Sequence, residues 1–264
     1  MVKYIMPLIL VTNDDGIHSE GIRVLSEALN AIGKVVIVAP DREKSAVSHA
    51  LTMHRPLLVE KMAEDTYAVN GTPTDCVVIA VEKILPGRPD IIISGINRGA
   101  NMGDDITYSG TVSAAMEGTL FNIPSIAISM PYEEGKGFQF ATAANFARNL
   151  AEKILENGLP ADTLLNVNVP NLPESEIKGV KFTRQGKRVY DNAIHDTLDP
   201  WGRKHYWIGG GTPSWEEDDN TDFSTVSAGF VSITPLHLDL TNYDALSHLR
   251  KDWQDLTELF SETE

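Results

Sequence analysis

Asp14 and Asp15 stand side by side in Asn13-Asp14-Asp15-Gly16, directly after the apolar run at residues 7–12. Like charges at the end of a buried strand repel each other and lose hydration, so they require a cation or strong hydrogen bonds. Adjacent carboxylates backed by neutral oxygen donors match a hard divalent cation, Mg2+ or Mn2+. Such an ion takes oxygen ligands, retains water and binds phosphate oxygens beside one or two carboxylates. Ser45, Ser48, Asn97 and Asn101 offer the neutral oxygens. Zinc fits less well, because His18, His49, His54, His195, His205 and His237 are scattered and no His or Cys cluster has metal-ligand spacing. Asp14-Asp15-Gly16 would also suit a plain turn, where Asp and Gly are favoured. Its place at a strand end tips the balance towards the cation.

A second group of residues suits an anion. Ser109-Gly110-Thr111 opens the helical segment TVSAAMEGTLF, and the free N–H groups and dipole at a helix start attract phosphate. An ordinary N-cap by Ser109 or Thr111 is the bland alternative. Gly95, Gly99, Gly103 and Gly110 suggest a loop that brings backbone close to a ligand, although plain flexible loops share that composition. Asp104 and Asp105 in this loop read as a solvated turn. The chain lacks a G-x-G-x-x-G after its first strand, a G-x-x-x-x-G-K-S/T and a G-x-S-x-G elbow, which weakens dinucleotide, P-loop and serine-hydrolase readings.

These residues need elements that bring them to one edge, and in an open α/β sheet ligands gather beyond the carboxyl ends of the strands. Residues 7–12 read as a strand buried on both faces of a parallel sheet. From Ser19, with Glu20 in the first turn, Ile22, Leu25, Leu29 and Ile32 recur at helical spacing until Gly33 closes the pattern. Residues 35–40 form a second buried strand, and a right-handed crossover places loops 13–16 and 41–48 on one edge. Weaker strands at 57–60 and 67–70 precede a helix opened by Thr72-Pro73 and running to about Leu85. A buried strand ending at Ser94, the loop 95–110, the helix TVSAAMEGTLF and the strand IPSIAISM come next. A helix over about 138–157 closed by Gly158 and the strand at 164–170 complete the series.

This order predicts an α/β fold with a Rossmann-like, doubly wound, mostly parallel sheet. Past Pro170 the periodic core gives way to KGVKFTRQGKRVY and RKHYWIGGG, which read as strands or hairpin arms, and to AGFVSITPL, a late strand. From about Asp244 an amphipathic helix carries Leu246, Leu249, Trp253, Leu256 and Leu259. The chain is expected to be a single domain, with a core over about 1–170 and a C-terminal β-hairpin arm and terminal helix over about 171–264.

Hydrophobic residues make up 42% of the 264 and charged residues 22%, the balance of a folded globular chain. A net charge of -15 speaks against polymeric nucleic acid and anionic membrane surfaces as partners. A small phosphorylated substrate remains open, because a bound cation reverses the local sign. Cys76 is the single cysteine, so no intramolecular disulfide can form, in keeping with a cytoplasmic protein. Within DCVVIAVEKIL it reads as a buried small hydrophobe. The apolar N-terminus is short and runs into Asn13-Asp14-Asp15 without a cleavage site, so it reads as strand rather than signal peptide. Elsewhere no apolar run approaches the ~18 residues of a membrane helix.

The segments ILVTNDDGIHSEGIRVL, VVIVAPDREKSAVSHALT, NGTPTDCV, SGINRGANMGDDITYSGTVSAAMEG and VSITPLHLDLT closely resemble the SurE survival-protein nucleotidases, over nearly the whole chain. The resemblance implies a Rossmann-like fold and divalent-metal-dependent removal of phosphate from nucleoside 5′- or 3′-monophosphates, sometimes with activity on short polyphosphate. It places Asp14 and Asp15 on the family's paired metal carboxylates, Ser45 on its serine ligand and Asn97 on its asparagine ligand, for one divalent ion per subunit. Asn101, Ser109, Gly110 and Thr111 fall on its phosphate-contacting positions. The arm between about 184 and 227 and the terminal helix are expected to exchange between subunits of a homodimer or homotetramer, the alternative being that both pack within one chain.

On this reading a cation at Asp14, Asp15, Ser45 and Asn97 would polarise a phosphoryl oxygen and activate a water for in-line attack, while Asn101 and the helix start hold the phosphate. Asp14 could instead orient the water as base or attack phosphorus itself. A sugar-nucleotide transferase is one rival, but its acids are usually separated by one residue. A phosphoacceptor signalling domain is another, but it needs an aspartate after the third central strand, where this chain has Ser94-Gly95-Ile96-Asn97.

Overall fold

The computed structural model describes residues 6–189, 194–208, 214–215, 218–254 and 256. In β1 (Leu8–Thr12) the side chains alternate between two cores, with Ile9 and Val11 in one and Leu10 in the other. A strand covered by helices on both sides must be apolar on both faces, which explains the unbroken run. Helix α1 (Glu20–Leu29) buries Ile22, Leu25 and Leu29, and β2 (Lys34–Pro40) returns parallel to β1 with Val35 opposite Ile9. The two weaker strand signals form an antiparallel pair, β3 (Val59–Ala63) and β4 (Thr66–Val69), with β4 parallel to β2 and β3 exposed at the edge. Helix α2 (Pro73–Ile79) starts at the expected proline. The Thr72 hydroxyl accepts from the Asp75 N–H while the Asp75 carboxylate accepts from the Thr72 N–H. A π turn, Ala80–Ile84, carries the helix on.

Strand β5 (Ile91–Arg98) lies beside β1 and runs past the expected end at Ser94. Its last residues still pair with β6 (Ser125–Met130) after a register shift between Ser94 and Asn97. Gly95 is the reason. At its φ of +139° a Cβ would lie 2.3 Å from the Ile128 carbonyl oxygen, so the glycine marks a close strand approach rather than a strand end. Asn97 therefore sits on a strand. The remaining loop is tightened by a 3-10 turn, Gly103–Tyr108, before α3 (Gly110–Leu120). Helix α4 (Phe140–Asn157) ends at Gly158, and β7 (Thr163–Asn168) follows.

Beyond Pro170 come β8 (Val180–Phe182), the short β9 (Arg188–Val189), the antiparallel hairpin of β10 (Ile194–Leu198) and β11 (Lys204–Ile208), and β12 (Ser214–Trp215), which pairs with β9. Helix α5 (Asp222–Ser227), β13 (Val231–His237) and α6 (Tyr243–Asp252) complete the described chain. The main sheet runs β3-β4-β2-β1-β5-β6-β7-β13-β8. Neighbours from β4 to β7 are parallel, and β13 is antiparallel to β7. This is the mostly parallel, Rossmann-like sheet expected, with the C-terminal hairpin and terminal helix. The change of texture at 170 is not the edge of the sheet, since β13 pairs along β7 and buries Val231 and Ile233. Along α6 and beyond it, Leu246 is half-buried, Leu249, Trp253 and Leu256 are exposed, and Leu259 lies outside the described residues.

Helices α1 and α4 cover one face of the sheet, and α2 and α3 the other, where Cys76 is buried. From β1 the chain passes to β2 on one side and later to β5 on the other, so the order reverses between β1 and β5 and a crevice opens at their carboxyl ends. Ile9, Ile91, Ile92 and Ile93 are fully buried along these two strands. Each contributes about 1.5–3 kcal/mol, which holds together the two strands that lead into the crevice.

Candidate active site

At the β1/β5 crevice lies a cavity of about 400 Å3. Of the residues singled out from the sequence, Asp14, Asp15, Ser45, Asn97, Asn101 and Ser109 line it. The loop after β1 is shaped by Asn13. Its Oδ1 accepts from the Gly16 N–H (3.1 Å), and its Nδ2 donates to Gly16 O (3.0 Å) and Ser19 Oγ (2.7 Å). Gly16 is required there: φ is +93° and a Cβ would lie 2.9 Å from the Arg42 carbonyl carbon. The Lys44 N–H donates to Asp14 O (2.7 Å), tying the loop after β2 to the end of β1.

Asp14 is buried, and its Oδ1 accepts from the Thr111 hydroxyl at 2.5 Å. Burial pushes its carboxyl up to about 6, against the pull of the Thr111 hydrogen bond, and the charge on Asp15 adds to the rise. Burial likewise raises Asp15, opposed by Arg98, whose N–H donates to Asp15 Oδ2 (3.1 Å) and whose Nε lies 3.6 Å from Oδ1. Both carboxylates are thus held where their charged forms are disfavoured.

Gly110 and Thr111 stand behind Asp14 rather than on the open wall. A Cβ on Gly110 would lie 2.8 Å from the Asp14 Cβ, so only glycine lets the start of α3 approach this closely. Ser109 caps α3, its Oγ accepting from the Val112 N–H at 3.1 Å. Asn101 is anchored on three sides: Nδ2 donates to Ser129 Oγ (2.8 Å), the N–H donates to Asn168 Oδ1 (2.9 Å), and the carbonyl accepts from Asn166 and Asn168. Asn97 donates Nδ2 to Gly99 O (2.9 Å), so its amide oxygen is the part available to the cavity. The Ser45 hydroxyl donates to Glu43 Oε1 (2.5 Å), which fixes its proton and orients its lone pairs.

Ser48 does not join the cavity. Its hydroxyl donates to Thr107 O (2.7 Å) and its N–H to Tyr108 O (3.1 Å), so it fastens the loop after β2 to the 3-10 turn. His49 ties the same loop to α3 by meeting Glu117 Oε2 at 2.7 Å. Asp105 departs from the solvated turn read in the sequence: it is part-buried, pairs with Arg188 and lines the cavity. Its partner comes from the C-terminal arm, which local sequence cannot reveal. Glu43, Arg98, Tyr108, Tyr132 and Phe138 also line the cavity and were not foreseen. Tyr132 and Phe138 follow β6, so the carboxyl-end rule that found the other loops could have found this one.

Residues 9–192 match the family model described as "Survival protein SurE". The curated 5′-nucleotidase SurE of Geobacter sulfurreducens is 55% identical over 92% of this chain and 92% of that protein. The one from Geotalea daltonii is 54% identical over 93% of this chain and 98% of its own length. The crystal structure of the Sure protein from Aquifex aeolicus superposes with a TM-score of 0.82 at 47% identity, covering 92% of this chain and 98% of that one. With a family model spanning most of its length and relatives above half identity over 92–93% of it, this chain belongs to the SurE survival-protein family.

Proposed function

We propose that the chain is a 5′-nucleotidase, a divalent-metal-dependent phosphohydrolase that releases phosphate from nucleoside 5′- or 3′-monophosphates, with short polyphosphate as a secondary substrate. The observation that carries this is Asp14, a buried carboxylate held beside Asp15 in a cavity that the oxygen-bearing side chains of Ser45, Asn97, Asn101 and Ser109 also line. Relatives above half identity bear the name 5′-nucleotidase SurE, which supports the same activity here.

The donor set fits a hard cation: two carboxylates, the oriented hydroxyl of Ser45 and the amide oxygen of Asn97. Asp14, Asp15, Ser45 and Asn97 would hold one Mg2+ or Mn2+ per subunit. When bound, such an ion supplies Lewis-acid polarisation of a phosphoryl oxygen and a water of lowered pKa. The protein's own part is positioning. Asn101, fixed on three sides, and Ser109 at the start of α3 line the cavity and would receive the phosphate, while Gly110 and Thr111, expected to contact it, stand behind Asp14 and brace that carboxylate instead. Asp14 is assigned the catalytic role of orienting the attacking water, its other oxygen being committed to Thr111. A phosphate-release assay over a panel of nucleoside monophosphates should show turnover with Mg2+ or Mn2+ and none with chelator. Turnover undiminished by chelator would sink the metal assignment, and no release with any ion would sink the activity.

The arm and terminal helix are assigned to contacts between subunits of a homodimer or homotetramer. The hairpin exposes Ile194, Leu198, Trp207 and Ile208, and the terminal segment exposes Tyr243, Leu249 and Trp253. Apolar surface of that extent is seldom left in water. Sedimentation velocity should find an oligomer at micromolar concentration, and a monomer there would overturn the assignment. No helix among the described residues is long and apolar enough to cross a membrane. A cytoplasmic site is assigned on the lone, buried thiol of Cys76.

A further inference from the structure

Beside the polar groups assigned to metal and phosphate, three aromatic rings line the cavity. Tyr132 and Phe138 come from the loop after β6, and Tyr108 comes from the 3-10 turn. Tyr132 is the most open of these rings, at 65% exposure. It is nevertheless held. Phe140 is buried in the core beside α1 and stacks on Phe138, with centroids 5.1 Å apart and planes at 14°. Phe138 in turn meets Tyr132 at 6.2 Å and 42°. Asn171 closes the loop, accepting from the Gln139 N–H (2.8 Å) and donating to Gly137 O (3.1 Å). Tyr132 is thus the outermost of three rings rooted in the core, ready to bind with little ordering left to do.

We propose that Tyr132, braced by Phe138, is the platform on which the base of the nucleotide stacks. The inference rests on the nucleotidase reading and names how the unreactive part of the substrate is held. Tyr132 and Phe138 are the cavity-lining residues of residues 131–139, so this loop offers ring surface rather than amides or charges. Every base has a π face, so stacking of this kind holds all four with little choice among them. A sugar phosphate without a base would gain nothing from it.

The test compares adenosine 5′-monophosphate with ribose 5-phosphate in the wild type, Tyr132→Ala and Tyr132→Phe, with Mg2+ present. Tyr132→Ala is expected to raise KM for the nucleotide about tenfold, to leave kcat within about twofold and to leave both constants for ribose 5-phosphate unchanged. Tyr132→Phe is expected to behave as wild type. An unchanged KM for the nucleotide in the alanine variant, or an equal rise for both substrates, overturns the platform. Binding of non-hydrolysable phosphonate analogues of the two compounds separates this inference from the activity. A wild type that hydrolyses neither substrate sinks the nucleotidase reading, while equal affinity for the two analogues sinks the platform whether or not turnover occurs.

Discussion

Asp14→Asn should lower phosphate release roughly a thousandfold and, in chelator at pH 7, make the protein more stable. The first effect follows from losing a carboxylate of the proposed metal pair and the group assigned to orient water. The second follows from burial. Folding raises the Asp14 carboxyl from its ordinary 3.8 to about 6, so the folded state holds its proton more tightly than the unfolded chain does. For a group raised in this way, stability is fully present below pH 3.8 and is lost as pH climbs through about 6. At pH 7 the loss is worth about 3 kcal/mol. Asparagine carries no charge and still offers an oxygen to the Thr111 hydroxyl, so it avoids that loss. Thermal melts in chelator should therefore favour the variant at pH 7 and show little difference at pH 4. Added Mg2+ should narrow or reverse the gap by stabilising the wild type alone. A variant no more stable than wild type in chelator at pH 7 would show that Asp14 is not held against its own solvation.

The second large effect is expected at Asp222, at the start of α5. It is fully buried, and three backbone N–H groups donate to it: Gly103 (2.8 Å), Gly186 (2.9 Å) and Phe223 (2.8 Å). Gly103 begins the 3-10 turn that carries Asp105 and Tyr108 to the cavity, and Gly186 opens the C-terminal arm. One carboxylate therefore fastens the two together. The fit is tight, since a Cβ on Gly103 would lie 2.7 Å from Gly186 O and 2.8 Å from the Trp215 ring. Asp222→Ala would leave these donors unpaired, at about 1–3 kcal/mol each. Burial raises the Asp222 carboxyl despite the three donors, so its charged form already carries a desolvation cost and the net loss falls short of the full sum. About 3 kcal/mol is expected, or roughly 6–12 °C in Tm for a chain of this size. KM should rise as the turn loosens, with kcat less affected. A Tm within about 2 °C of wild type would mean that the arm holds the turn by other contacts.

Much of this was legible in residue order. The unbroken apolar runs of β1, β2 and β5 announced a parallel sheet because strands covered on both faces admit no polar alternation. Thr72-Pro73 and Gly158 marked helix ends through local backbone preferences that tertiary packing left alone. Gly95 misled for a physical reason: glycine signals both a chain turning and a backbone pressed against its neighbour, and only the presence of Ile128 distinguishes them. The late strand β13 was visible as a strand, but its place beside β7 depends on a pairing across more than sixty residues, from Thr163 to His237.

Sequence alone determined which oxygen-bearing residues end the strands, and so the carboxylate pair on which the proposed cation site rests, because residue type and strand polarity are local properties. Tertiary structure alone decided which of them face the cavity. It set Thr111 and Gly110 behind Asp14, turned Ser48 to the 3-10 turn, and brought Asp105 to Arg188 and Tyr132 to Phe138. Such contacts join residues far apart in the chain, and their geometry is set by how two sheet faces and an arm pack, which no short stretch of sequence encodes.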